Sequence, residues 1–159
     1  MRKSTILIAA LAVTSPAIAQ DFSPPLAGPY YNTGGNETAY SFAAGGTAKR
    51  TGDTAAMTRV VMFVTARDIE GVQVGRLDTV MEYQCEKAQM RPTLIAARGL
   101  DNAVLKLIPR PGEEWESIPA SNASAAYELE LACNGIAPKD RPAFPNIDDR
   151  IKRFRDSGQ

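Results

Sequence analysis

The chain has 159 residues, 18 basic and 18 acidic side chains, two cysteines and no histidine. That length suits one domain, and 44% apolar residues is enough for a buried core and too many for a disordered chain. Zero net charge and a pI near 6.3 lack the basic footprint of a nucleic-acid binder. The missing histidine removes the commonest general base and the commonest zinc ligand.

The first nineteen residues read as an address. Arg2 and Lys3 open it, Ile6 to Val13 form a short apolar run, Pro16 breaks the run, and Ala17-Ile18-Ala19 offers small residues for a signal peptidase. This three-part pattern predicts a secretory signal peptide over residues 1–19. The run is too short for a membrane anchor, which needs about 20 apolar residues. No cysteine follows it for lipid attachment, and no later stretch is apolar enough to span a bilayer. Cleavage leaves 16 basic and 18 acidic side chains. The short alanine-rich signal implies a bacterium, and an exported protein of its periplasm or cell surface.

Export changes how the cysteines read. Cys85 and Cys133 are an even pair in an oxidising compartment, so a disulfide is the default. Closing a loop of about 48 residues stabilises a fold by roughly 4 kcal/mol in the chain-entropy account. Two free buried thiols or a redox pair are the alternatives, although a redox pair usually has Cys-x-x-Cys spacing.

Residues 20–37 read as an N-terminal linker, because Pro24-Pro25, Gly28-Pro29 and Gly34-Gly35-Asn36 punctuate them densely. Ala39 to Ala43 is a plausible first strand, ended by Gly45-Gly46, and Lys49 to Asp53 reads as a polar turn. Thr58 to Ala66 is β-branched and aromatic, with both parities largely apolar, which predicts a central strand. Asp68 to Gly75 reads as a turn or loop. Arg76 to Glu86 alternates with period two: Leu77, Thr79, Met81, Tyr83 and Cys85 face inward, while Arg76, Asp78, Glu82, Gln84 and Glu86 face out. Arg91 to Arg98 and Asn102 to Ile108 predict an antiparallel hairpin, stopped by Pro109-Arg110-Pro111-Gly112.

Two patterns compete between Ser121 and Cys133. Strict alternation of Ala125, Tyr127, Leu129, Leu131 and Cys133 with Glu128 and Glu130 suits a strand. Alanine, leucine and glutamate favour a helix, with Ser121 as cap and Gly135 just past its end, and helix is the expectation. Residues 138–159 form a proline-rich, charged tail. In it Ile147, Ile151 and Phe154 fall at helical spacing, as a short amphipathic helix or a disordered segment with helical bias.

Chemistry is sparse. Without histidine there is no Ser-His-Asp or Cys-His site, and Lys49, Lys87 and Lys106 lie in no nucleophile motif. Glu113, Glu114 and Glu116 flank Trp115, and a carboxylate-dependent hydrolase is the one enzymatic option. Such carboxylates normally come from separate elements, and three on one turn suit a solvated face. Asp148-Asp149 and Asp101-Asn102 lack calcium-loop spacing, and the glycine pairs at 34–35 and 45–46 lack a phosphate loop's lysine. The sequons at Asn36 and Asn122 are ignored in a bacterial chain. We therefore assign no catalytic, cofactor or metal residues. The expected polar strand face, with Arg59, Arg76, Glu82 and Arg91, could meet a protein partner. An exposed sheet edge could also pair two copies into a homodimer.

The order of features resembles the surface-adhesin protein E family of bacterial outer-membrane proteins, over about residues 38 to 134. The matching features are Tyr40 in a first strand, the Lys49-Arg50-x-Gly52-Asp53 turn and the Val60 to Val64 strand. Next come Glu82-Tyr83-Gln84-Cys85, Trp115, Pro119 and Ser121, then Cys133. Gln84 stands where the family usually has an acid. The resemblance implies an antiparallel sheet against a helix, Cys85 bridged to Cys133, and adhesion to host or matrix proteins.

The expectation is thus an α+β domain over residues 38–137: an antiparallel sheet of about five strands on one helix, pinned by one disulfide. Its expected function is a non-enzymatic binding or surface-interaction protein of the envelope. The alternative is a soluble periplasmic accessory protein that binds a small ligand or a protein partner.

Overall fold

The computed structural model describes residues 23–157, so the expected signal peptide lies outside the described residues. The fold is α+β. Eight antiparallel strands form one sheet: β1 (Tyr30–Gly35), β2 (Ala39–Thr51), β3 (Thr54–Ile69), β4 (Val72–Gln84), β5 (Gln89–Arg98), β6 (Val104–Pro109), β7 (Glu116–Ser117) and β8 (Ala143–Phe144). The order across it is β6-β5-β4-β3-β2-β1-β8, with β7 continuing the β6 edge by pairing with β5. Helix α1 (Ala123–Asn134) precedes β8, and helix α2 (Ile147–Ser157) follows it.

The centre is a meander because its connections are tight turns. Glu70 (φ 53°) and Gly71 (φ 78°) make a two-residue hairpin loop between β3 and β4. Both residues have positive φ, which matches the twist of the flanking strands. Gly52 (φ 61°) serves the β2–β3 turn in the same way.

The sheet carries a helix on each face. Neighbouring residues of a strand point to opposite sides. Ala43, Met57, Met81 and Tyr83 pack under Leu131, Ala132 and Cys133 of α1. Phe42, Ala44, Val60 and Met62 pack under Ile147 and Ile151 of α2. Both parities of the central strand are therefore buried, as its composition predicts.

Several expectations are corrected. The sheet has eight strands rather than about five, and two helices rather than one. The extra strands come from segments too short or too punctuated to show a period. β7 and β8 have two residues each, and β1 ends on Gly34-Gly35, inside the expected linker. β2 runs through Gly45-Gly46 instead of stopping, with an irregular register between Ala44 and Lys49. The expected loop from Asp68 to Gly75 shrinks to the Glu70-Gly71 turn. The tail docks as α2, because Ile147 and Ile151 find an apolar sheet face there.

The 121–133 ambiguity resolves as a helix. Asn122, not Ser121, caps it by accepting the Ala125 N–H at 3.1 Å. Gly135, with φ 66°, ends it by donating to the Leu131 carbonyl at 3.1 Å. Ala125, Glu128, Leu131 and Ala132 form its buried face. A strand would have turned Glu128 away from Leu131. Cys85, just past β4, is bonded to Cys133 on the last turn of α1, with a Cα–Cα distance of 5.7 Å.

Candidate functional site

Two of the four charges expected on an open sheet face are not there. Arg59 points under α1, where its Nε donates to Glu128 Oε2 at 2.8 Å and its Nη2 makes a still shorter contact with the same oxygen. Tyr83 Oη donates to Glu128 Oε2 at 3.0 Å, and Thr33 Oγ1 donates to Oε1 at 3.1 Å. Glu128 is 1% exposed, so three donors from three strands replace its water. Burial, then the Glu128 charge, holds the Tyr83 hydroxyl well above its ordinary pKa. Burial pulls the Arg59 pKa down, but Glu128 outweighs it and the net direction is up.

Arg76 lies on the opposite face and is also buried. Its Nε donates to Asp78 Oδ1 at 2.6 Å, and its Nη1 to Asp148 Oδ1 of α2 at 2.8 Å. Arg98 donates to the other Asp78 oxygen. Arg155 of α2 donates to the carbonyls of Leu100 (2.7 Å) and Gly75 (3.1 Å). These contacts fasten α2 over one end of the face, so the expected open surface is covered there.

The other half of that face stays open. Lys49, Ala56, Glu82 and Arg91 stand opposite one another across β2, β3, β4 and β5 and so form one row. Arg91 places Nε and Nη2 each 2.8 Å from Glu82 Oε2. Its guanidinium lies 4.4 Å from the Trp115 ring centroid, a cation–π stack that holds the indole over the sheet. Thr58 and Val80 form the next row toward α2.

The N-terminal arm closes one side of this surface. Gly45 N–H donates to the Pro29 carbonyl at 2.8 Å, and Gly46 N–H to the Ala27 carbonyl at 3.1 Å. Thr58 Oγ1 donates to the Pro25 carbonyl at 2.7 Å. Gly46 is needed for this approach, since a Cβ there would stand 2.2 Å from the Gly28 carbonyl oxygen. Between arm and strands lies a mainly apolar cleft of about 290 Å³, whose walls include Pro25, Ala27, Lys49, Ala56 and Val80. The arrangement offers an apolar slot, a cation at Lys49, a fixed ion pair and a braced indole, which is recognition chemistry.

The carboxylates around Trp115 do not face one another across a cleft. Glu113 pairs with Arg110 at 3.1 Å, Glu114 is exposed, and Glu116 lies in β7 opposite Met90. Lys106 pairs with Glu70 at 3.2 Å, and Lys87 is exposed. Asp148 is the partner of Arg76, and Asp101 Oδ1 accepts the Ala103 N–H at 3.1 Å. Asn36 holds its own turn by accepting from Thr38 and Ala39. Among the described residues no group of His, Cys, Asp and Glu is arranged to hold a metal, and no helix is long and apolar enough to cross a membrane.

Sequence reasoning missed Glu128 as a buried hub and the arm as a wall. The signal for the first was a lone acid at helical spacing from Ala125, Leu131 and Ala132. The arm's backbone contacts leave no side-chain pattern. Comparisons with family models, curated proteins and solved structures give no match to this chain.

Proposed function

We propose that this is an exported, non-enzymatic binding protein of the bacterial envelope, adhesin-like in holding a partner on the open half of its sheet. The observation that carries this reading is the Lys49–Ala56–Glu82–Arg91 row with Trp115 braced on Arg91. Interface centres favour a rigid aromatic beside an arginine, and here both are held in place before any partner arrives. The Cys85–Cys133 bridge is compatible with an oxidising compartment. The feature order shared with the surface-adhesin protein E family supports the same reading.

Protease accessibility tests it first, on intact cells and on cells with a permeabilised outer membrane. Digestion on intact cells places the domain outside. Binding to immobilised matrix proteins should then be lost in Trp115→Ala and Arg91→Glu variants of unchanged thermal stability. Protection until permeabilisation removes the adhesin reading. The second reading, a soluble periplasmic accessory protein, rests on the 290 Å³ apolar cleft beside the arm. It expects saturable small-ligand binding that Ala56→Phe blocks.

A further inference from the structure

The edge strand β6 is built unlike a protected edge. Of the large exposed apolar side chains among the described residues, Val104, Leu105 and Leu107 lie on β6 and Leu100 in the turn before it; Ile69, at the end of β3, and Ile136 lie elsewhere. Edges are usually blunted by charge or covered. At the opposite edge β8 covers Tyr30 and Tyr31 of β1. On β6 the one charge, Lys106, is neutralised by Glu70 at 3.2 Å.

The hydrogen-bond phase of β6 identifies what fits it. Arg110 N–H donates to the Thr93 carbonyl at 2.9 Å, one step beyond the Leu94–Pro109 pair. Antiparallel ladders alternate, so Lys106 and Ile108 turn their N–H and C=O groups toward β5. Leu107 and Pro109 turn theirs outward, Pro109 with a carbonyl alone, while the register shift opposite Ala97 and Arg98 breaks the alternation at Leu105. We infer that β6 pairs antiparallel with β6 of a second copy of this chain, about a two-fold axis at Leu107.

In that register Leu107 exchanges two hydrogen bonds with Leu107 of the partner copy. Leu105 of each copy then stands opposite Pro109 of the other. Lys106 faces Ile108, not a second lysine. An axis at Lys106 would set two ammonium groups directly opposite each other, and its hydrogen bonds would run between Leu107 and Leu105, where the β5–β6 ladder is irregular. An axis at Leu105 would need Ala103, whose carbonyl accepts from Gly99 and whose N–H donates to Asp101. The edge is therefore complementary to itself in charge and, at Leu107, in donor and acceptor. A six-residue strand is only about 20 Å long, short of the roughly 800 Å² per partner of a standard interface. The flanking Leu100 extends it, and a concentration-dependent dimer in the micromolar range is the expected strength. This surface is separate from the open half of the sheet, so the pairing and the proposed binding role stand or fall apart.

Sedimentation of the disulfide-intact protein from about 1 to 300 μM, a span around micromolar dissociation, tests the pairing. The mass should rise from one copy toward two, and Leu107→Arg should hold it at one copy with an unchanged melting temperature. As a second measurement, Leu107→Cys should cross-link to itself through a short bis-maleimide, which adds one thiol at each end, while Lys106→Cys should not. A single-copy mass across the whole range overturns the inference. So does a dimer that survives Leu107→Arg, or equal cross-linking at both positions.

Discussion

Arg59 of β3 and Glu128 of α1 are bonded through Arg59 Nε at 2.8 Å, joining the middle of the sheet to the middle of the helix that covers it. Glu128 is 1% exposed and the Arg59 side chain 22%. Removing one partner leaves a charge with little water. Glu128→Ala should cost about 3–5 kcal/mol, the usual result of breaking a buried pair. Arg59→Met added to Glu128→Leu should recover much of that loss, because the desolvated charges go together. Urea unfolding of the single and double variants measures the difference. A double variant as unstable as the sum of the singles would mean that Arg59 and Glu128 act independently.

The disulfide ties the far end of the same helix to the end of β4, across 48 residues of sequence. Cys85→Ser with Cys133→Ser should lower stability by about 4 kcal/mol, from the freedom regained by the unfolded chain. Reduction of the wild type should give a similar shift, visible as a lower urea midpoint. A variant pair that unfolds at the wild-type midpoint would show that the packing of Leu131 and Ala132 suffices to hold α1.

How far the sequence reached follows from the same residues. Thr58 to Ala66 was legible from its β-branched and aromatic composition, and Arg76 to Gln84 from its period-two alternation. The parity of β4 was right too: Arg76 and Asp78 do oppose Leu77 and Thr79. What failed was the step from polar to exposed. Arg76 is 1% exposed and Asp78 0%, since each supplies the other's counter-charge and Asp148 arrives from α2, far along the chain. Arg76 and Asp78 share a local window, but Arg98 and Asp148, which complete the cluster, and the helix that covers it do not. The candidate site was half legible for the same reason. Glu82 and Arg91 stayed on the open face, while Arg59 and Arg76 were drawn under helices. The arm contributes carbonyl groups, and these carry no residue identity.

Alkaline pH should weaken the fold. Burial, ahead of the neighbouring charges, raises the Tyr83 and Tyr30 pKa values above the ordinary 10.0. A group with a raised folded pKa contributes stability that is complete below the unfolded value and is lost as pH rises through the folded one. The urea midpoint should therefore be flat to about pH 9.5 and fall above it, each tyrosine adding up to about 1.4 kcal/mol per pH unit. Tyr83→Phe should flatten the fall, at a cost near neutral pH of about 1–2 kcal/mol for the lost bond to Glu128. An equally steep fall in Tyr83→Phe would assign the alkaline transition to other groups.

The arm and the open face meet at Gly46. A side chain there would strike the Gly28 carbonyl oxygen at 2.2 Å and the Ala27 carbonyl oxygen at 2.9 Å, both of them backbone that no rotamer change moves aside. Gly46→Val should therefore push the arm off β2, break the Gly46–Ala27 bond and cost about 1–3 kcal/mol, as overpacking does. It should also remove a wall of the cleft while leaving the Arg91–Trp115 stack intact, because those residues sit on β5 and the segment before β7. Limited proteolysis read by mass spectrometry should show new cleavage confined to residues 23–29. A ligand held in the cleft would lose affinity in this variant, whereas a partner held by Trp115 and Arg91 would not. The one substitution thus separates the two proposed modes of binding, and an arm that remains protected would show that its contacts at Gly45 and Thr58 are enough to hold it.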